Sequence, residues 1–286
     1  PEATRPLFAD LNLTFNSGWT GIVGSNGSGR STLIDLITGK LVLDTGQIIK
    51  PDLIKAVQQR TEAPLDDLQD LAEPETATGW YWRSRLGIQS DWFDRWDTLS
   101  HGERKRLQIA HALAAESDIL VLDEPDNHLD VQTKDVLLTA LKQFSGVGLI
   151  VSHDRYLLDE LCASTLFLGS QKPDLRPGGY STATKELERE QLERQRERDT
   201  IHKEERKLRR ELQRRSAEAD RSAGKRSRKH LALGDSDGRA KIGLAIYSGK
   251  DASAGKLKRR MADRVEKIRD QKASIPFEKK YRSGIR

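Results

Sequence analysis

The sequence predicts an α/β fold in which a strand, a glycine-rich loop and a helix are followed by further strand and helix segments and then by a long basic α-helical extension. Three observations predict it. Gly21-Ile-Val-Gly24 runs into Ser25-Asn-Gly-Ser-Gly-Arg-Ser-Thr32 and then into the helical spacing of Leu33, Ile34, Leu36 and Ile37. A second apolar run, Ile119-Leu-Val-Leu122, ends on the adjacent carboxylates Asp123 and Glu124. From Thr184 the chain turns almost wholly helix-forming and charged, its apolar residues being chiefly Leu187, Leu192, Ile201, Leu208 and Leu212.

The first element carries its own chemistry. Glycines let a backbone turn its N–H groups inward around phosphates, and the helix after the loop presents its N-terminus to the same anion. Gly24, Ser25, Asn26, Gly27, Ser28, Gly29, Arg30, Ser31 and Thr32 are therefore the candidate phosphate-binding set, with the Ser31 hydroxyl placed to ligate Mg²⁺. The pattern for such a loop is G-x-x-x-x-G-K-[ST], and Arg30 stands where the lysine belongs. Arginine keeps a positive charge near the β and γ phosphates, but its planar fork is bulkier and prefers bidentate geometry. A tolerated variant and a crippled site are the two readings of Arg30, and an ordinary Gly/Ser turn is the competing reading of the loop.

Next comes Leu99-Ser-His-Gly-Glu-Arg104, which leads into a helix bearing Leu107, Ile109, Ala110, Leu113 and Ala114. The Ile119–Leu122 run reads as a buried parallel strand whose C-terminal end opens into a site, where α/β sheets place their ligands. Asp123 would there hold Mg²⁺, and Glu124 would orient and polarise an attacking water. A third apolar run, Gly148-Leu-Ile-Val-Ser-His153-Asp-Arg, ends on a histidine.

GSNGSGRST, LSHGE, DEPDNHLD and SHDR occur here in the order and spacing of an ATP-binding cassette domain, and the chain resembles that family over residues 1–182. The DEPDNHLD form is similar to the ABC-F subfamily, whose members carry two cassettes on one chain. The resemblance implies a P-loop ATP-binding cassette with ATP and Mg²⁺ as its ligands. It implies that Ser31 and Asp123 hold the metal, that Glu124 acts on water and that His153 is the switch histidine near the γ-phosphate. Gln59, with Gln58 as its competitor, matches the glutamine that reaches the metal and the attacking water. Ser100 and Gly102 would face the nucleotide of a partner cassette, and Asp130 would close the loop at that interface. Two residues depart from the family pattern: His101 replaces a usual glycine and Asp126 a usual threonine. The aromatic residue that stacks on adenine is Phe8 or lies before Pro1.

Composition separates the cassette from the extension after it. Residues 1–182 hold 17 Lys and Arg against 26 Asp and Glu, net −9, and residues 183–286 hold 32 against 18, net +14. An acidic domain is thus joined to a basic extension, an asymmetry that points to a polyanionic partner for the latter. Lys203, Arg206, Lys207, Arg209, Arg210, Arg214, Arg215, Arg221, Lys225, Arg226, Arg228 and Lys229 form a phosphate-binding footprint. Over residues 185–200 the signs alternate, and a solvated helix laced by i,i+4 ion pairs is the plainer reading. The glycine-bearing stretches at 234–239 and near 250 and 255 read as a tip, from which a second basic helix, Lys256 to Lys272, returns.

In ABC-F proteins the corresponding segment, here 183–274, links two cassettes and reaches into the ribosome beside tRNA, which makes ribosomal RNA, tRNA and a second cassette the expected partners. Residues 275–286 read as the start of that second cassette. The single cysteine, Cys162, fits a reducing compartment, and no run of eighteen apolar residues exists, so the expected place is cytoplasmic with no membrane partner. The expected function is a ribosome-associated translation ATPase whose hydrolysis moves the linker. A transporter ATPase subunit and a non-hydrolysing nucleotide-binding adaptor on nucleic acid are the alternatives.

Overall fold

The structure, a computed structural model, describes residues 7–59, 69–169, 172–225 and 250–274. It divides into two compact units that part between Glu188 and Arg189. In the first unit the strands are β1 (Gly18–Gly24), β2 (Ile54–Val57), β3 (Ile119–Asp123), β4 (Val147–Val151), β5 (Cys162–Leu168) and β6 (Asp174–Pro177), in the spatial order β2-β3-β4-β1-β5-β6. All pair in parallel except β5 with β6. Registers of Asp123 with Val151 and of Ile22 with Val151 bring the C-terminal ends of β3, β4 and β1 side by side. The loops after these three strands therefore emerge together, at the edge where parallel sheets bind ligands.

Side chains alternate across the sheet as the two-residue period requires. Ile22, Val121, Leu149, Val151, Leu166 and Leu168 face the layer holding Leu33, Ile34 and Ile37 of α1 (Arg30–Thr38). Val23, Leu120, Leu122, Ile150 and Phe167 belong to the opposite layer, with residues of α4 (His101–Ala114), α5 (Val131–Leu141) and α6 (Arg155–Leu161). Two shorter helices, α2 (Gln69–Ala72) and α3 (Ala77–Arg85), pack beside α4. Leu120 and Leu122 are fully buried, and each such side chain contributes about 1.5–3 kcal/mol. Gly148 leaves the space beside β4 that the Trp19 ring fills, and the indole N–H reaches Leu141 O at 2.8 Å.

Helix ends are set by local chemistry. Ser100 caps α4 through a reciprocal box with Glu103, Asp130 caps α5 and Asp154 caps α6, each accepting from backbone N–H groups of the first turn. Gly39, at φ 82°, closes α1 in the left-handed region.

Helix α7 runs unbroken from Tyr180 to Lys225. Tyr180, Ala183 and Leu187 are buried in the core of the first unit, so the core continues past residue 182 into the first two turns of the helix. In the second unit α7 is accompanied by α8 (Lys250–Ser274). Ala254-Gly255-Lys256, expected to form part of a tip, lies inside α8, because strong helix formers on both sides outweigh the roughly 1 kcal/mol that one glycine costs. The 234–239 stretch, the side chains of Arg221 and Lys225, the residues Arg226, Arg228 and Lys229, and the 275–286 segment lie outside the described residues.

The two faces of α7 differ sharply in the second unit. Ile201, Glu205, Leu208 and Leu212, spaced i, i+4, i+7 and i+11, are buried or half-buried. Lys203, Arg206, Lys207, Arg210 and Arg214 repeat on the opposite face and are exposed. On α8 the corresponding inner stripe is Met261, Val265, Ile268 and Lys272. Lys272 donates to Glu205 at 3.1 Å and Arg264 to Glu204 at 3.5 Å, tying the two helices together. Ion pairs one turn apart, Arg189 with Glu193 and Arg194 with Glu190, line the start of α7.

Candidate functional site

The loop between β1 and α1 is shaped for close approach. Gly27 and Gly29 have φ of 79° and 95°, a region that L residues with a side chain rarely enter. A Cβ on Gly24 would stand 2.8 Å from Leu168 O and collide with the Ser28 side chain. Ser28 N–H donates to Ser25 O at 3.0 Å, closing a turn, and the Ser28 hydroxyl is buried with no hydrogen-bond partner among the described residues. Ser31 and Thr32 open the first turn of α1, Ser31 on its exposed side. The ring of Phe8 lies against Gly29 and packs on the α1 face of the core.

Glu124 occupies the left-handed region at φ 47°, held there by its N–H to Val151 O at 2.8 Å. Such strain in a non-glycine residue re-aims a side chain. Here the carboxylate becomes a meeting point. Gln59 Nε2 donates to Glu124 Oε2 at 2.9 Å, Asn127 Nδ2 donates to the same oxygen at 3.1 Å, and His153 Nε2 stands 3.2 Å from Oε1. His153 Nε2 is also 3.2 Å from Arg30 Nη1, while Arg30 Nη2 donates to Asn26 Oδ1 at 3.2 Å. The phosphate loop, the Glu124 carboxylate, the strand-end histidine and Gln59 thus form one connected set, whereas the Gln58 backbone carbonyl accepts from Lys105.

Charge in the site is unevenly solvated. Burial pushes the Asp123 carboxyl above the ordinary carboxylate range, and the neighbouring Glu124 adds to the rise while Arg30 and Lys105 oppose it. Burial likewise raises Asp126, against a hydrogen bond from Ser152. Lys105, fully buried, donates to Gln58 O at 2.6 Å and to Gln59 O at 3.1 Å, and its pKa falls to about 8 through desolvation.

Ser100 and Gly102 sit at the N-terminus of α4, where Gly102 is packed against Leu129 of the turn after β3. A larger residue at 102 would press on that side chain. The rings of His101 and His128 meet edge to face at 5.2 Å.

The donor set suits a hard divalent cation: a serine hydroxyl, a carboxylate and an amide oxygen, all oxygen ligands. Among the described residues no cluster of three or more His, Cys, Asp or Glu side chains could hold a metal by itself. Mg²⁺ in nucleotide sites is bound by one or two protein oxygens together with the substrate phosphates.

Lys105 and Asn127 belong to the site without standing out in the sequence. Lys105 has a usable signal, since it falls in helical phase with Ile109, Ala112 and Leu113, all buried. A lysine on the core stripe of an amphipathic helix is a residue with a buried partner. Asn127 has none beyond its place in an acidic turn.

The ABC transporter family matches residues 8–127. A ribosome protection protein, VmlR of Bacillus subtilis, is 35% identical over 195 residues, covering 68% of this chain and 34% of its own length. The ABC transporter F family member 5 of Arabidopsis thaliana is 31% identical over 207 residues, covering 65% of this chain and 30% of its own. This chain therefore spans about a third of the length of these relatives. In the complex of the archaeal ribosomal stalk protein aP1 with the archaeal ribosome recycling factor aABCE1, one chain superposes with a TM-score of 0.51 at 24% identity, over 60% of this chain and 37% of that one, a likeness of fold.

Proposed function

Because this chain is an ATP-binding cassette protein of the ABC-F type, we propose that it supplies one cassette and the adjoining helical linker of a ribosome-associated translation ATPase. The observation that carries the reading is the convergence of Gln59, Asn127 and His153 on the Glu124 carboxylate, beside a glycine loop open to phosphates. In this reading the N–H groups of Gly24 to Thr32 cradle the phosphates of ATP, and Arg30 supplies positive charge near the transferred group. Ser31 and Asp123, with Gln59, hold Mg²⁺. Held there, the cation would supply positive charge to offset that of the nucleotide phosphates.

Glu124 orients and polarises the water for in-line attack, and its own orientation is fixed by the Gln59 and Asn127 amides. His153 reports on the γ-phosphate through the edge it shares with Glu124 and Arg30. Ser100 and Gly102 face outward to complete a site on a second cassette, with Asp130 at the same interface. ATP binding closes the pair and hydrolysis opens it, so that the linker moves between two positions. The exposed stripe Lys203, Arg206, Lys207, Arg210 and Arg214 supports RNA as the linker's partner, since it presents cations in a row at one helix face. No described helix is long and apolar enough to cross a membrane.

Co-sedimentation of the whole protein with ribosomes tests this reading, with ATP turnover measured alongside. Association in ATP that falls in ADP, together with measurable turnover, is the expected result. Absence of ribosome association in every nucleotide state would leave the reading without its partner.

A further inference from the structure

Lys105 is an unusual residue to bury. An ammonium removed from water carries a penalty of several kcal/mol, so an apolar side chain of similar length would be the cheaper way to fill its place. It is fully buried on α4, one turn beyond Ser100 and Gly102. Its ammonium does not seek solvent. It donates to the backbone carbonyls of Gln58 and Gln59, at 2.6 and 3.1 Å, where the chain leaves β2.

Those carbonyls belong to the segment whose next polar group is the Gln59 side chain, 2.9 Å from Glu124 Oε2. The path from α4 to the carboxylate therefore has two hydrogen-bonded steps, ammonium to backbone and amide to carboxylate. We propose that Lys105 is a positioning residue for ATP hydrolysis: by clamping the Gln58–Gln59 backbone to the helix that bears Ser100 and Gly102, it holds the Gln59 amide on Glu124. The proposal rests on the reading of Glu124 as the water-polarising group. It gives Lys105 a role distinct from filling the core, because the core has no use for two hydrogen bonds to a strand end. It also joins the N-terminal half of α4 to the Glu124 carboxylate.

The test is a double-mutant cycle in the whole protein between Lys105→Met and Gln59→Ala, read as steady-state ATP turnover and KM. Methionine keeps the length of the side chain and removes the buried charge, so the fold is retained; Lys105→Gln, which keeps a donor, serves as a second variant. Lys105→Met is expected to lower the turnover number on the order of tenfold to a hundredfold, the range for a misplaced positioning group, with KM little changed. Lys105→Gln should recover part of that loss. The double variant should be no slower than Gln59→Ala alone, because Lys105 acts through Gln59. Losses that multiply in the double variant, or full activity in Lys105→Met, overturn the proposal.

Hydrogen exchange supplies a readout independent of turnover. Amides of residues 54–59 should exchange faster in Lys105→Met than in the unsubstituted protein, and equal rates overturn the clamp. If the unsubstituted protein fails to turn over ATP, the hydrolytic reading fails, whereas an active protein indifferent to Lys105→Met leaves that reading intact and removes Lys105 from it.

Discussion

The Arg30 guanidinium stands 3.2 Å from His153 Nε2, so the phosphate loop and the strand-end histidine touch through a side chain that a lysine could not replace in kind. A second arm of the same fork reaches Asn26, so the guanidinium has two side-chain partners in the site. A phosphate on the same guanidinium would compete with these two contacts. A point-charge ammonium would be easier to redirect.

Arg30→Lys should therefore raise ATP turnover of the paired cassettes, by about fivefold for about 1 kcal/mol of released competition. The rise requires the second cassette, because the substitution repairs the loop but supplies no signature motif opposite it. Steady-state turnover with and without the second cassette checks this. Lower turnover in Arg30→Lys would show that the fork is a working phosphate ligand rather than an encumbrance.

Glu124→Gln should keep the loop intact and bind ATP, since the Gly24 to Thr32 backbone is untouched. The amide cannot accept proton density from water, so turnover should drop on the order of a hundredfold or more, the usual contribution of a general base. Nucleotide should then remain bound as ATP, and the pair should stay closed. Chromatographic identification of the retained nucleotide decides the matter: ADP as the main species after long incubation would remove Glu124 from its assigned role.

Most of the site is legible in the sequence because its chemistry is local there. The loop glycines, the paired carboxylates after β3 and the histidine after β4 each announce themselves within a few residues, and parallel strand order then brings them to one edge. Distances between remote segments decide the rest. Gln59 and Gln58 are adjacent and chemically identical, and only the path of the chain after β2 turns the Gln59 amide toward Glu124, 65 residues on. The partners of Lys105 are hidden for the same reason, being backbone carbonyls, which carry no sequence signal, although its place on the core stripe of α4 marks the side chain itself as buried. The core extends beyond the expected limit at residue 182, a difference that arises because Leu187 looks, in sequence, like one apolar residue in a charged helix. In the fold it is the last inward turn of α7 over the sheet domain.

The exposed stripe on α7 predicts salt-dependent RNA binding. Lys203, Arg206, Lys207 and Arg210 lie opposite the Glu205 face and are exposed. Each phosphate neutralised contributes about 0.7 to 0.9 to the slope of log affinity against log salt, so replacing all four by glutamine should flatten the slope by about 3. Nucleotide binding should be unaffected, because the loop at Gly24 to Thr32 lies in the other compact unit. Ribosome binding measured across a salt series gives the slope directly. An unchanged slope would make α7 a spacer and place the grip elsewhere.

Glu205 predicts how the paired helices respond to acid. It is 5% exposed and accepts from Lys272 at 3.1 Å and Arg209 at 2.7 Å, with His202 at 3.7 Å. The hydrogen bond from Lys272 first, then the charges of Arg209 and Lys272, hold its carboxyl below the ordinary glutamate range. A carboxylate with a depressed folded pKa contributes stability that is present above its unfolded value and lost as pH falls through the folded one. Breaking a buried pair costs several kcal/mol, but Lys272 and Arg209 are partly solvated, which reduces the expected cost of Glu205→Gln to about 1–2 kcal/mol at neutral pH. Helical circular dichroism during thermal unfolding, compared between the two proteins from about pH 7 down to about pH 2, isolates the contribution of this carboxyl. The melting curves should differ at neutral pH and converge in acid, where the protonated glutamic acid is as uncharged as glutamine. A gap that persists unchanged in acid would mean that Glu205 acts by shape and hydrogen bonding, and that its charge does not hold α7 to α8.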